Sequence, residues 1–379
     1  MKITIISDAP AAPLYTPRIR FLNRVLLESG HEVTWFTERF EEIPSDLRPD
    51  NLVEIDYYKS GSRLMKGLKS FIFDDKNRFF EREILKSAEK TDLVICSTFL
   101  TFGLRAAKAL ARRDNARLHV DLRDIVEQHP KNILSHPIYN LPVISGKYRH
   151  DNIRKRNDVL MVADTVSVVS KYHRELMRKI NGNTYTVYNG YDETIFKSGG
   201  RKARNGRFNM VYLGKWYGND VQDVNPLFTA LQELHDIDMR LTFYTAISVH
   251  EGLRKIIKEY CIEDLVEVRG YVPNSEVPGI LRQADIAIVL TSPNNKGDLF
   301  TKFFEALGCR VPVLCTPSDN GELSELITAT NAGKALTGPA EIRQFIRGMY
   351  DGCQTAEPHG EEFSRQVQTA RWMEIMGIR

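Results

Sequence analysis

The chain has 379 residues, of which 42% are hydrophobic and 27% charged, with a formal net charge of +3. That length exceeds what one hydrophobic core usually organises, the composition excludes a disordered or fibrous protein, and so small a net charge gives no footing to nucleic-acid binding. The opening MKITIISDAPAAPLYTPR holds a short apolar run before Asp8 and is then broken by prolines, so it reads as neither a signal peptide nor a membrane span, and the expected location is the cytoplasm.

In chain order, β-branched runs alternate with helical stretches: KITIIS (2–7), HEVTWF (31–36), DLVICS (92–97), RLHVDL (117–122), TVSVVS (165–170) and YTVYN (185–189). Such alternation predicts parallel βαβ units. Across 196–207 apolar residues give way to Gly, Lys and Arg, the composition of an exposed linker. A second series follows: FNMVYLG (208–214), MRLTFYT (239–245), LVEVRG (265–270), DIAIVL (285–290) and VPVLC (311–315). The expected fold class is α/β, with two Rossmann-like doubly wound parallel-sheet domains, 1–196 and 207–355, whose strand-end loops would face one another across a cleft. The closing EEFSRQVQTARWMEIMGIR reads as helical, and 360–379 is expected to return to the first domain.

Five cysteines, Cys96, Cys261, Cys309, Cys315 and Cys353, lie in apolar or helical contexts without a CxxC pair and are expected as buried thiols. KYRHDNIRKR (147–156) and RLMKGLKSFIF (63–73) set Lys and Arg beside large apolar side chains. That mixture suits an anionic membrane surface and equally a solvated helix face.

The segment richest in chemistry is KGDLFTKFFEALGCRVPVLC (296–315). At helical spacing Phe300, Phe303, Phe304 and Leu307 share one arc, while Asp298, Thr301, Lys302 and Glu305 share the opposite one. Following a strand and a loop, its N-terminal amides would point to the carboxyl edge of the sheet, where a diphosphate is stabilised. A surface helix with an Asp298–Lys302 pair at i, i+4 fits the spacing equally well.

This segment resembles the hallmark of the retaining glycosyltransferase family 4, in which an acidic residue, a Gly-containing loop and a second Glu precede a small residue and a PV strand. Glu305 matches the second Glu, and Gly308, Pro312 and Val313 match the residues after it. The resemblance implies the GT-B fold and a carboxylate at Glu305 that accepts hydrogen bonds from the donor ribose. Gly297 stands where the family has its first Glu, and Asp298 beside it is the candidate replacement for contact with the donor sugar. Lys302, placed as in a branch acting on surface polysaccharides and glycolipids, would meet donor phosphate, with Phe300 and Thr301 next to it.

Other stretches resemble the same family. VSVVSKYHRELM and TVYNGYDETIF (166–196) match the end of its first domain, with Asn189 and Gly190 forming a turn and Asp192 capping the next. In MVYLGKWYG (210–218), Gly214 would admit close backbone approach and Lys215 would sit on the diphosphate, where a cation acts as negative charge accumulates on the leaving group. Arg269, Tyr271 and Val272 fall in the loop that holds the base, and Tyr244 and Thr245 replace the glycines common in relatives. On the acceptor side HVDLRDIVEQHP (119–130) places Arg123 and Asp124 at a strand end with His119 and His129 nearby, and Arg18 and Arg20 are candidates for an anionic acceptor such as a lipid diphosphate. A buried Arg–Asp structural pair is the competing reading of that dipeptide.

No GxSxG, HExxH or P-loop occurs. The resemblance implies transfer with retention by front-face attack, without protein nucleophile, metal or cofactor, from a UDP- or GDP-sugar to a glycan or lipid-linked acceptor. It implies a cytoplasmic enzyme, in contact with the inner face of the membrane and not with nucleic acid. Two other readings stay open: a nucleotide-sugar epimerase of the same fold, and a non-catalytic nucleotide-sugar-binding protein suggested by Gly297.

Overall fold

The computed structural model describes residues 1–8, 17–39, 48–59, 62–127, 142–196, 206–293 and 296–378; His129 and most of the expected linker lie outside them. The chain divides into two compact units, one of Met1–Tyr188 with Thr369–Arg379 and one of Asn189–Gln368. Among the described residues no helix is long and apolar enough to cross a membrane.

The first unit holds strands β1 (Lys2–Ser7), β2 (Glu32–Glu38), β3 (Leu52–Ile55), β4 (Leu93–Thr98), β5 (Arg117–Leu122), β6 (Thr165–Val168) and β7 (Thr184–Thr186). They form a parallel sheet in the order β3-β2-β1-β4-β5-β6-β7. The second unit holds β8 (Phe208–Leu213), β9 (Met239–Tyr244), β10 (Val266–Arg269), β11 (Ile286–Leu290), β12 (Val313–Thr316) and β13 (Gly333–Ala335). Its sheet, also parallel, runs β10-β9-β8-β11-β12-β13. Every residue of β4 and of β11 is buried, as expected where helices cover both faces of a parallel sheet. The two strands not expected from the sequence, β3 and β13, are short edge strands, and the Gly-Lys-Ala of β13 lacks any β-branched side chain.

In both sheets the winding reverses between the first strand and the fourth: β1 beside β4, and β8 beside β11. Loops leaving the carboxyl ends of such a pair diverge to opposite faces and leave a crevice. The helix after β4, Leu104–Asp114, shows how sequence sets these connections. Its buried Leu104, Ala107, Leu110 and Ala111 recur at helical spacing, it starts from Gly103 at φ 75° and stops at Asn115 in the left-handed region. A β-carbon on Gly103 would stand 2.6 Å from the Ile6 side chain, so the strand and the turn meet only over glycine.

The C-terminal segment completes the first core: Trp372, Met376 and Ile378 pack with Ile3, Ile5 and Ile95. Residues 189–196, which the sequence reading places in the first domain, lie in the second unit, where Tyr191 bridges to Ser364. Trp372 Nε1–H donates to His119 Nε2 at 2.7 Å, so that nitrogen bears no proton and Nδ1 carries it, 2.8 Å from Thr165 Oγ1. Burial pushes the His119 pKa down to about 4. Arg18, 5% exposed, pairs with Asp121 at 3.0 Å, donates to the Val187 carbonyl and lies 4.5 Å from the centre of a Trp372 ring. Asp121 also accepts from Ser97 and Ser167. Arg18 and His119, expected on the acceptor side, are therefore interior groups with hydrogen-bond partners inside the unit, because a buried charge or ring nitrogen must find its partner there. The cysteines divide likewise: Cys96, Cys309 and Cys315 are buried, whereas Cys261, in a left-handed turn after a helix, and Cys353 are exposed.

Since the unfolded chain binds a proton at His119 near pH 6.5 and the folded one only near 4, this histidine's contribution to stability is complete above pH 6.5 and is lost as pH falls toward 4. Urea unfolding at pH 7 and 5 should show that loss in the wild type and a smaller one in His119→Asn. Trp372→Ala should cost about 3–5 kcal/mol at pH 7.

Candidate functional site

At the carboxyl end of β8 the chain passes through Gly214 at φ 149° into a tightly held loop. The Tyr212 hydroxyl donates to the Lys215 carbonyl at 3.0 Å, the Trp216 amide donates to Thr245 Oγ1 at 3.1 Å, and the Trp216 indole donates to the Gln222 carbonyl at 2.9 Å. The Tyr217 amide donates to Gln222 Oε1 at 2.9 Å. Trp216 is buried as the anchor, while Lys215 and Tyr217 are exposed, with the Lys215 ammonium 4.9 Å from the Tyr217 ring centre. Thr245 thus fixes the Lys215 loop from the adjoining strand end.

After β11 the chain reaches Gly297 at φ 83°, the half-buried Asp298 and an extended Phe300, then enters the helix Thr301–Gly308. Asp298 and Phe300 precede that helix rather than lying on its arcs, so the i, i+4 pair of Asp298 with Lys302 does not form. Lys302 Nζ instead sits 2.8 Å from Glu305 Oε2. Phe303, Phe304 and Leu307 anchor the helix as their spacing requires, with the Phe304 ring 5.6 Å from that of Phe363. Glu305 departs from the expected open polar flank: it is only 5% exposed. Gly308 ends the helix against Tyr191, where any β-carbon would lie 2.5 Å from the ring, which explains a glycine at that position.

Two further relations define the place. A β-carbon on Gly214 would stand 4.0 Å from Lys302 Cε, so the loops after β8 and β11 meet at the reversal point of the sheet. The helix beyond β12, Glu322–Ala329, has its first turn filled by Asp319, whose carboxylate accepts from the Leu323 and Ser324 amides at 3.1 and 3.0 Å. Among the described residues no side chain does this for Thr301–Gly308; the Phe303 amide donates to the Phe300 carbonyl at 3.1 Å, which leaves the Thr301 and Lys302 amides and the partial positive charge of the helix start for an anion. Gly214, Lys215, Asp298, Phe300, Thr301, Lys302 and Glu305 therefore belong to the two loops and one helix of the reversal point. Arg269, Tyr271 and Val272 sit at the same carboxyl edge but after β10, two strands away. The Arg269 guanidinium is engaged by Glu267 at 2.8 Å, while Tyr271 is 59% exposed.

In the first unit the corresponding reversal point holds Asp8, directly after β1, which accepts from the Phe99 amide at 2.7 Å and Thr98 Oγ1 at 3.2 Å and forms an ion pair with Arg123. The sequence reading passed over Asp8, although its place immediately after the first apolar run marks it as a strand-end residue. Arg123 keeps its strand-end position with Asp124 next to it, and Arg20 lies half-buried on the helix Pro17–Glu28.

Residues 207–352 match the family model described as Glycosyl transferases group 1. A Salmonella typhimurium protein named for colanic acid biosynthesis, the glycosyltransferase WcaL, is 26% identical over 129 residues, which is 30% of this chain and 31% of that relative. The chain thus spans about a third of the curated relative it matches. HepE of Anabaena, solved with UDP-glucose, superposes with a TM-score of 0.69 at 14% identity, covering 100% of this chain and 99% of that one. The UDP-GlcNAc 2-epimerase of Methanocaldococcus jannaschii superposes with a TM-score of 0.58 at 14% identity, covering 100% and 99%. The fold is GT-B, with two Rossmann-like parallel-sheet units, and the match to glycosyl transferases group 1 falls on the second of them.

Proposed function

We propose that the chain is a retaining glycosyltransferase that takes a sugar from a UDP- or GDP-sugar to a glycan or lipid-linked acceptor in surface polysaccharide or glycolipid synthesis, working at the inner face of the cytoplasmic membrane. One observation carries the reading: within the matched domain, an uncapped helix N-terminus, a Lys302–Glu305 pair and the Gly214–Lys215 loop converge at the reversal point of the sheet. Amides and ammonium groups there suit a diphosphate, and the Glu305 carboxylate suits paired hydroxyls of a ribose. HepE, of the same fold, was solved with UDP-glucose, and the name of WcaL refers to colanic acid biosynthesis.

In this reading the donor diphosphate lies against the Thr301 and Lys302 amides. Lys215 and Lys302 stabilise the negative charge that grows as the glycosidic bond breaks, and the departing phosphate oxygen helps to accept the acceptor's proton on the same face, so no protein nucleophile is required. Tyr217 and the Gln222 clamp hold the Lys215 loop before the donor arrives, which reduces reorganisation in the transition state. Arg269, Tyr271 and Val272 flank the base, and Asp298 takes the donor sugar hydroxyls in place of the absent glutamate. Arg123 and Asp124, with Asp8, serve the acceptor.

A thermal-shift screen of nucleotide sugars tests donor binding: a ligand at about a hundred times its Kd should stabilise the fold by about 2.7 kcal/mol. Glu305→Gln should weaken that ligand by about 10- to 100-fold, the range of hydrogen bonds to a charged acceptor. Lys215→Ala should lower kcat by about 100- to 1000-fold with a smaller change in donor Kd. Sugar appearing on an acceptor with release of nucleoside diphosphate supports transfer; interconversion of the nucleotide sugar without acceptor identifies an epimerase, and tight binding without either product identifies a binding protein.

Burial pushes the Asp298 pKa up to about 6. The folded state thus holds this proton more tightly than the unfolded chain, and the group's effect on stability becomes progressively unfavourable as pH rises from 3.8 through 6. Asp298→Asn should accordingly be more stable than wild type at pH 7.5, by an amount on the order of 1–3 kcal/mol, and equal to it near pH 4. Donor affinity should move oppositely, rising through pH 6 in the wild type as the carboxylate forms and staying flat in Asp298→Asn; a rise that survives the substitution removes Asp298 from the donor site.

A further inference from the structure

Away from the strand ends, the first unit carries a groove of about 860 Å³ that none of the proposed chemistry uses. Its floor is the helix Leu104–Asp114, which contributes Arg105, Lys108 and Arg112. One wall is the helix Asp75–Ser87, with Arg78 and Glu81, and the other is Pro142–Leu160, with Asp151, Arg154, Lys155 and Asp158. At the rim stand Ile72 and Phe73, the last residues of the helix Arg63–Phe73, 56% and 62% exposed; Met65, earlier on the same helix and outside the groove lining, is 52% exposed. The two basic, apolar stretches that the sequence sets far apart thus contribute to one surface.

Charge in the groove does not balance. Seven Arg and Lys line it against four Asp and Glu. Asp74 is matched by Lys155 at 2.9 Å, Glu81 by Arg105 and Asp151 by Arg154 at 3.8 Å, Arg113 pairs with Asp114 outside the lining at 2.7 Å, and Lys108 donates to the Asp158 carbonyl. Arg78 and Arg112 have no carboxylate partner among the described residues and point the surplus outward.

We propose that this groove and its rim dock the protein on an anionic lipid bilayer, with lipid phosphates against Arg78, Lys108 and Arg112 and with Ile72, Phe73 and Met65 entering the acyl boundary. A soluble polyanion would satisfy the cations and leave the apolar rim in water; an apolar protein partner would bury the rim and strand the cations. A bilayer surface supplies both environments a few ångströms apart, and long basic side chains reach the headgroups while their stems stay on apolar surface. The inference deepens the membrane-surface part of the proposed function and is independent of its sugar chemistry.

Co-sedimentation of the full chain with vesicles tests it. Binding to vesicles of phosphatidylglycerol and phosphatidylcholine in equal parts, weakened by salt and nearly absent on phosphatidylcholine alone, is expected. Each Lys or Arg near such a surface contributes about fivefold, ~1 kcal/mol, so Arg78→Glu with Arg112→Glu should lower the partition coefficient by at least about 25-fold. Phe73→Asp should weaken binding at every salt concentration. These side chains are exposed, and an unchanged circular dichroism spectrum with an unchanged nucleotide-sugar thermal shift separates lost docking from lost folding and from failure of the donor-site reading. Equal binding to both vesicle types, binding indifferent to the three substitutions, no binding, or self-association abolished by the same substitutions would each overturn the proposal.

Discussion

Glu305 is buried on a helix packed with phenylalanine, and its pairing with Lys302 at 2.8 Å is the constraint around which the second unit's reversal point is arranged. Phe303, Phe304 and Leu307 fix the rotation of the helix, and Gly308 lets its last turn lie against Tyr191. With the helix so fixed, Glu305 keeps only 5% of its surface exposed. Lys302, half-exposed, neutralises it and reaches toward Gly214, where the absence of a side chain keeps the space between the two loops clear.

The two units solve one topological problem with different chemistry. Each sheet reverses its winding next to its first strand, but the first unit fills the space behind that edge with a closed network, Arg18 to Asp121, Asp121 to Ser97 and Ser167, Trp372 to His119. These groups add cohesion between strands and the C-terminal segment. In the second unit, by contrast, the helix that follows β12 is closed by Asp319 while the one that follows β11 is left uncapped. The two helix starts thus differ in that Asp319, three residues before its helix, occupies first-turn amides there, whereas among the described residues no side chain does so at Thr301.

Much of the architecture was legible because buried parallel strands leave continuous β-branched runs, and the eleven runs read from the sequence each contain one strand. LVEI and GKA escaped since edge strands need neither length nor apolar content. At the candidate site, the aromatic spacing located the helix but not its start: Phe300 and Asp298 continue the helical pattern in sequence, yet the chain is extended until Thr301. Periodicity also made Glu305 look solvent-facing, because it reports a residue's bearing around its own helix and not what other elements cover. Arg18 and His119 were misplaced for a related reason. Their polarity suggests a ligand, while their partners, Asp121 and Trp372, are remote in sequence and visible only in the fold.

Amide hydrogen exchange with and without UDP measures the central claim at the atoms concerned. Thr301, Lys302 and Phe303 should gain protection on nucleotide addition, together with the Gly214–Tyr217 segment, and Glu305→Gln should reduce the gain. Unchanged exchange at these amides while another strand-end loop becomes protected would place the nucleotide elsewhere and contradict the site.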